Sequence, residues 1–365
     1  MKRIYGIAVL LLLLTGCQEK KGEFVCKPCG LECDQLSFAE AGTCPHCNMP
    51  LVKQADLQQD RNLKINKVVL RKGSGSFRLD GGPFKPEKTI EVFYYKPDNF
   101  NAHSQILIVV PGAGRNGDSY RDAWIPEAEN YNLLVLAPSY SEADYSFEDY
   151  HLGGILSELN LENNIKFLDN SNIVELEEEG LDFRINPDQA SMIFPDFDRI
   201  FDEVVSTLKG SQKSYDIFGH SAGGQILHRM ALFYPHSKAK HIIASNAGFY
   251  TLPDFETELP FGIKATQLTD ESLKKTFSTS LILLIGELDN AEETGGTLLR
   301  SRTADIQGLH RLSRGKFFYD TASQKAAALK TPFNWRLEIV PQVGHDHEKM
   351  GDHAAKLLYK KIDEN

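Results

Sequence analysis

The segment Asp216-Ile217-Phe218-Gly219-His220-Ser221-Ala222-Gly223-Gly224 restricts what this chain can fold into more than any other. Ser214 to Phe218 reads as a short buried strand, and beyond the G-x-S-x-G pattern Ile226, Met230 and Phe233 fall at i, i+4 and i+7 on one helical face. A serine thrust out at a sharp strand-to-helix turn crowds the backbone around it. Small residues are therefore needed two positions to either side, and Gly219 and Gly223 supply them. In a chain with 28 glycines the bare pattern is weak, so the strand before it and the helix after it carry the inference.

That strand, elbow and helix resembles the nucleophile elbow of the α/β-hydrolase family. The resemblance implies a mostly parallel sheet flanked by helices, with Ser221 as nucleophile followed along the chain by an acid and then a histidine. Ser280 to Ile285 reads as a strand that leads into Gly286-Glu287-Leu288-Asp289, so Asp289 is the expected acid and Glu287 its alternative. Trp335 to Val340 reads as the last strand, and Val343-Gly344-His345-Asp346-His347 follows it. The family places its general base in such a loop, which selects His345, with His347 as the rival.

The apolar run Ile106 to Val110 breaks at Pro111-Gly112-Ala113-Gly114-Arg115-Asn116-Gly117, in the position of the family's oxyanion loop. The expected donors to a developing oxyanion are the N–H of Ala222, next to the nucleophile, and that of Ala113 or Gly114. A proline stands where the related loops often carry histidine. Phe249 and Tyr250, in the loop after the strand His241 to Ser245, are expected substrate contacts, as is Tyr140 at the end of the strand Leu133 to Ala137.

Other elements fit the same frame. Lys67 to Leu70 and Thr89 to Lys96 read as antiparallel leading strands joined by a glycine-rich stretch. Phe197, Ile200, Phe201, Val204, Val205 and Leu208 mark an amphipathic helix just before the nucleophile strand. About fifty residues after Tyr140, rich in aromatics and with an acidic patch at 175–179, form an insertion expected to pack on the domain or to wall the substrate. Tyr120–Trp124, Gln307–Arg311 and Pro332–Arg336 further resemble a bacterial subgroup of these hydrolases.

A net charge of -10 and the lack of a basic stripe argue against a nucleic-acid surface. Lys2 and Arg3 precede an apolar run, Ile4 to Leu14, that is too short to span a bilayer but suits a secretory signal. Leu14-Thr15-Gly16-Cys17 resembles the bacterial lipobox, which implies a signal peptide over 1–16, lipidation of Cys17, a tether over 17–22 and anchoring in the cell envelope. An ordinary cleaved signal is the alternative. Gln18 after the cysteine leans the sorting toward the outer membrane.

Cys26-x2-Cys29 and Cys44-x2-Cys47, with fourteen residues between the pairs, have the spacing of a zinc ribbon, so residues 23–53 are expected to hold one structural zinc ion on those four thiolates. Cys33 and His46 are possible substitutes, and a disulfide cluster is the other reading. Residues 54–66 read as a linker and 67–365 as the hydrolase domain.

The function expected from these residues is ester hydrolysis by an envelope-anchored serine hydrolase through an acyl-enzyme, with no cofactor for catalysis. A peptidase or amidase would use the same triad. The stretch before the first central strand is too short for the propeller of large oligopeptidases. A metal-binding lipoprotein with a non-catalytic hydrolase-like domain is the reading from another class.

Overall fold

The computed structural model describes residues 22–26, 36–45, 50–54 and 68–360 and divides into two units, Met1–Leu63 and Lys64–Asn365. In the first unit β1 (Phe24–Cys26) pairs antiparallel with both β2 (Ser37–Phe38) and β3 (Leu51–Lys53). Cys26 and Cys44, one from each CxxC pair, are buried in one cluster with Phe38 and Leu51 packed against it. Cys17, Cys29, Cys33, His46 and Cys47 lie outside the described residues, as does the expected signal peptide. Among the described residues no three His, Cys, Asp or Glu side chains are grouped as metal ligands. No described helix is long and apolar enough to cross a membrane.

The second unit is built on the apolar runs. Ile106, Ile108 and Val110 face one core and Leu107 and Val109 the other, so β6 (Ile106–Val110) must be covered on both faces. With β4 (Gly73–Asp80), β5 (Thr89–Lys96), β7 (Leu134–Tyr140), β12 (Tyr215–His220), β13 (Ala239–Ser245), β14 (Leu281–Gly286) and β16 (Arg336–Val340) it forms an eight-stranded sheet in the order β16-β14-β13-β12-β6-β7-β5-β4. The six strands from β7 to β16 along that order are parallel, and at the other edge β5 pairs antiparallel with β7 and β4 antiparallel with β5. Helices cover both faces. They include α1 (Gly117–Ala123), α2 (Ile125–Tyr131), α3 (Phe147–His151), α4 (Phe194–Leu208), α5 (Ala222–Phe233), α6 (Asp270–Ser278), α7 (Arg302–Gln307), α8 (Arg311–Ala328) and α9 (His347–Tyr359).

Two expectations need correction. Val68 to Leu70 is not a strand; the first strand is β4, the stretch expected to be a glycine-rich connection. Its register runs unbroken from Gly73 opposite Lys96 to Asp80 opposite Thr89, so pairing with β5 overrides the low strand propensity of its glycines. The insertion after β7 has structure of its own. There β8 (Leu156–Ser157) pairs antiparallel with β11 (Arg184–Ile185) and β9 (Ile165–Phe167) with β10 (Ile173–Leu176), and β10 pairs parallel with β15 (Leu298–Arg300), which follows the Asp289 loop.

Candidate active site

β12 and α5 meet at Ser221, which takes φ 58° and ψ -116°, a conformation that L side chains rarely adopt. The strain is held by hydrogen bonds on both sides: the Ser221 N–H donates to the Ser245 carbonyl at 2.9 Å and the Gln225 N–H to the Ser221 carbonyl at 3.0 Å. The glycines are needed for space. A Cβ at Gly219 would stand 2.5 Å from the Gly223 carbonyl oxygen, and one at Gly223 would stand 2.2 Å from that of Val110.

The loop after β6 lies against this turn. A Cβ on Gly112 would come within 3.5 Å of Cβ of Ser221 and 2.8 Å of Oη of Tyr120, the buried tyrosine beneath it. Arg115 pins the loop by donating to the carbonyls of Tyr140 at 3.2 Å and Tyr145 at 2.6 Å. The N–H groups of Ala113 and Gly114 donate no hydrogen bond among the described residues, and both residues are half-buried. Ala222 begins α5, so its N–H has no acceptor within the helix.

At the ends of β14 and β16 the expected acid and base come together: Nδ1 of His345 lies 2.8 Å from Oδ2 of Asp289. Asp289 is 1% exposed and takes two further donors, Nδ2 of Asn246 at 2.6 Å on Oδ2 and the Arg311 guanidinium at 3.1 Å on Oδ1. Burial raises the Asp289 carboxyl, but the hydrogen bond from His345 and the Arg311 charge outweigh it and hold it below the usual carboxylate range. His345 is lowered, by burial first and then by Arg311, against the pull of Asp289 and Glu293. The imidazole is therefore neutral at physiological pH.

No hydrogen bond joins Ser221 to His345. The ring of His220, the residue before the serine, packs 4.4 Å from that of His345. The Ser221 hydroxyl has no hydrogen-bond partner among the described residues, and unliganded hydrolytic sites commonly leave this contact open until substrate arrives. His347 stacks on Tyr120 at 4.3 Å instead of facing Asp289, and Glu287 is exposed and accepts from the Gln342 N–H at 2.9 Å.

The expected aromatic substrate contacts are core. Tyr140 and Tyr250 are 0% exposed and Phe249 is 5% exposed. Tyr140 packs on Tyr145 and Tyr150, Tyr250 on Phe318 and His228, and Phe249 on Phe261. They sit at or just past strand ends, where the insertion covers Tyr140, Phe318 of α8 covers Tyr250, and Phe261 and Arg229 cover Phe249. Burial was the part of their setting that local sequence did not carry.

Three residues that shape the site were not singled out by sequence. Asn246, left-handed at φ 48°, ties Asp289 to the Gly344 carbonyl at 3.1 Å. Glu293 accepts from the His345 N–H at 2.7 Å. Arg311 lies in the segment Gln307 to Arg311, noted only as a family likeness.

No protein-family model matches the chain, and no curated protein does. Among solved structures it is similar to poly(aspartic acid) hydrolase-1 from Sphingomonas sp. KT-1, with 34% identity over 80% of this chain and 100% of that one and a TM-score of 0.67. It is also similar to a poly(3-hydroxybutyrate) depolymerase from Bordetella parapertussis, with 26% identity over 80% of this chain and 91% of that one and a TM-score of 0.67.

Proposed function

The chain belongs to the α/β-hydrolase family, and from that premise we propose that it is a serine hydrolase that cleaves carboxylic esters, polymeric esters among them. The observation that carries the reading is the His345–Asp289 pair at 2.8 Å, whose imidazole packs 4.4 Å from the ring of His220, the residue before a serine held at φ 58°. In the proposed reaction His345 takes the Ser221 proton as the oxygen attacks the ester carbonyl, and Asp289 holds the imidazole in the tautomer that can accept it. The N–H groups of Ala222 and of Ala113 or Gly114 receive the negative charge on the carbonyl oxygen. His345 then gives the proton to the leaving alcohol, and water repeats the sequence on the acyl-enzyme. The chain supplies nucleophile, base and charge acceptors, so the chemistry needs no cofactor. A fluorophosphonate probe with mapping of the modified peptide tests this, the expected adduct being on Ser221.

The named substrates of the two relatives separate an ester from an amide reading, since poly(3-hydroxybutyrate) is a polyester and poly(aspartic acid) a polyanion joined by amides. The greater identity to the poly(aspartic acid) hydrolase favours amides. Charge favours esters. The loops that carry Asp289 and His345 bear Glu287, Glu292, Glu293 and Asp346, with Glu348 following in the first turn of α9, and Lys349 of that turn is already paired with Asp346 at 2.8 Å. A polyanion would be repelled there and an uncharged ester would not. Hydrolysis of 3-hydroxybutyrate oligomers but not of poly(aspartate) is the expected result, and the reverse preference would reject the ester assignment.

The lowered His345 titration gives a signed expectation. The base works only when neutral, so activity persists below the pH at which an ordinary imidazole, of pKa about 6.5, would be half protonated. A profile of kcat/KM against pH with an uncharged ester checks this, and an acidic midpoint at or above that value would contradict it.

The anchoring and the metal module are part of the same proposal. The lipobox-like Leu14 to Cys17 supports attachment to the envelope through Cys17, and the shared burial of Cys26 and Cys44 fits a structural zinc held with Cys29 and Cys47. Cys17→Ser is expected to move the protein from the membrane fraction to the soluble one. Elemental analysis of that soluble form should find zinc; an unchanged distribution or a metal-free protein would reject the respective part.

A further inference from the structure

The first helical residue of α8 is an arginine with almost no contact with solvent. Arg311 is 2% exposed, and its Nη1 and Nη2 donors are spent on the surroundings of the acid and the base, while Nε has no hydrogen-bond partner among the described residues. Its Nη1 donates to Oδ1 of Asp289 at 3.1 Å and to the Gly295 carbonyl at 3.3 Å, and its Nη2 donates to the carbonyls of Gly296 at 3.0 Å and Thr297 at 2.8 Å. The next residue, Leu312, donates its N–H to the Asp289 carbonyl at 3.0 Å.

The loop held in this way lies along the working edge of the imidazole. Gly296 takes φ +61°, and a Cβ there would come within 2.6 Å of Nε2 of His345 and 3.2 Å of Nη2 of Arg311. On its other side the loop is fixed by Glu293, which accepts from the N–H groups of His345 and Gly295, both at 2.7 Å. One guanidinium thus fixes the carboxylate that orients Nδ1 and the backbone that borders Nε2. A planar fork with five donors suits four oxygens at once, whereas an ammonium does not.

We propose that Arg311 is the positioning residue of this site: it locks Asp289 and the Gly295–Thr297 loop around His345 and places a positive charge beside the base. The inference rests on the serine-hydrolase reading for its consequence in turnover, while the contact itself can be tested without it. The charged and titratable groups facing His345 are Asp289 from the end of β14, Glu293 from the loop after it, Arg311 from α8, and His220 from β12 with His347 beyond. Of these Arg311 is the permanent cation. Its removal frees Asp289 to favour the imidazolium, so His345 would hold its proton to higher pH.

The test uses the full chain with Arg311→Met and Arg311→Lys, following ester turnover against pH and the His345 ring by NMR titration. In Arg311→Met the acid limb of kcat/KM and the ring titration are both expected to move to higher pH. At the plateau kcat is expected to fall about tenfold or more with KM changed much less, as for a misplaced base. Arg311→Lys, which keeps the charge and loses the fork, is expected to lower kcat with the titration closer to that of the parent. A merely structural arginine would lower the melting temperature and leave the ring titration where it was; that result, or parent-like kcat in either folded variant, overturns the proposal. If Arg311→Met does not fold, the Lys variant decides alone through kcat. A parent that takes no fluorophosphonate on Ser221 defeats the hydrolase reading, and the ring titration still reports on the contact.

Discussion

Ser221→Ala is expected to lower kcat on a short-chain ester by about 10⁶-fold, to the level left by substrate binding and the oxyanion donors. The same variant is expected to melt within about 0.5 kcal/mol of the parent in stability. The second statement follows from the geometry of the turn. The strained backbone at φ 58° is held by the Ser245 carbonyl and by the absence of side chains at Gly219 and Gly223. The hydroxyl itself has no hydrogen-bond partner among the described residues, so its removal orphans nothing. Chemistry and stability separate cleanly at this position, which makes the outcome interpretable: a loss of activity cannot be blamed on the fold. Turnover equal to that of the parent would reject the assignment, and a large loss of stability would mean that the turn depends on the oxygen.

The elbow was legible in the sequence because its requirement is steric and local. Two glycines at fixed spacing answer backbone atoms that lie within four residues or in the adjacent strand, and no distant packing changes that demand. The central strands were legible for a related reason: β5 and β6 are bounded where their apolar patterns stop. What could not be read is what depends on long-range pairing. β4 draws its order from β5, β10 from β15 more than a hundred positions away, and the burial of Tyr140 and Tyr250 from segments that fold over them. Arg311 belongs to this class. An arginine at the start of a helix looks like a solvent-facing residue until the Asp289 loop is brought to it.

Asp289→Asn is expected to lower kcat by about 10⁴-fold and, unlike the serine change, to destabilise the fold by about 3 kcal/mol. The carboxylate receives donors on both oxygens: His345 and Asn246 on Oδ2, and Arg311 on Oδ1. An amide can offer its oxygen to only one side. With the new nitrogen at the Oδ2 position it faces Nδ1 of His345 and the Asn246 amide, donor against donor, and the imidazole must shift its proton to Nε2, where it can no longer accept from Ser221. With the nitrogen turned toward Arg311, a guanidinium buried to 2% exposure loses its only acidic partner at that contact and its charge stays uncompensated. Both orientations cost something, and the two costs can be told apart by adding Arg311→Met. Removing the orphaned charge is expected to return part of the stability lost in Asp289→Asn, so the paired changes should be less destabilising than the sum of the single ones. Turnover should stay well below that of the parent, because the amide oxygen that can then accept from Nδ1 of His345 carries no charge to stabilise the imidazolium. Thermal denaturation of the parent, both single variants and the pair, read beside their kcat values, checks both statements. Strict additivity in stability would mean that the Arg311–Asp289 contact carries no coupling energy, and recovered turnover would mean that Asp289 serves Arg311 and not the base.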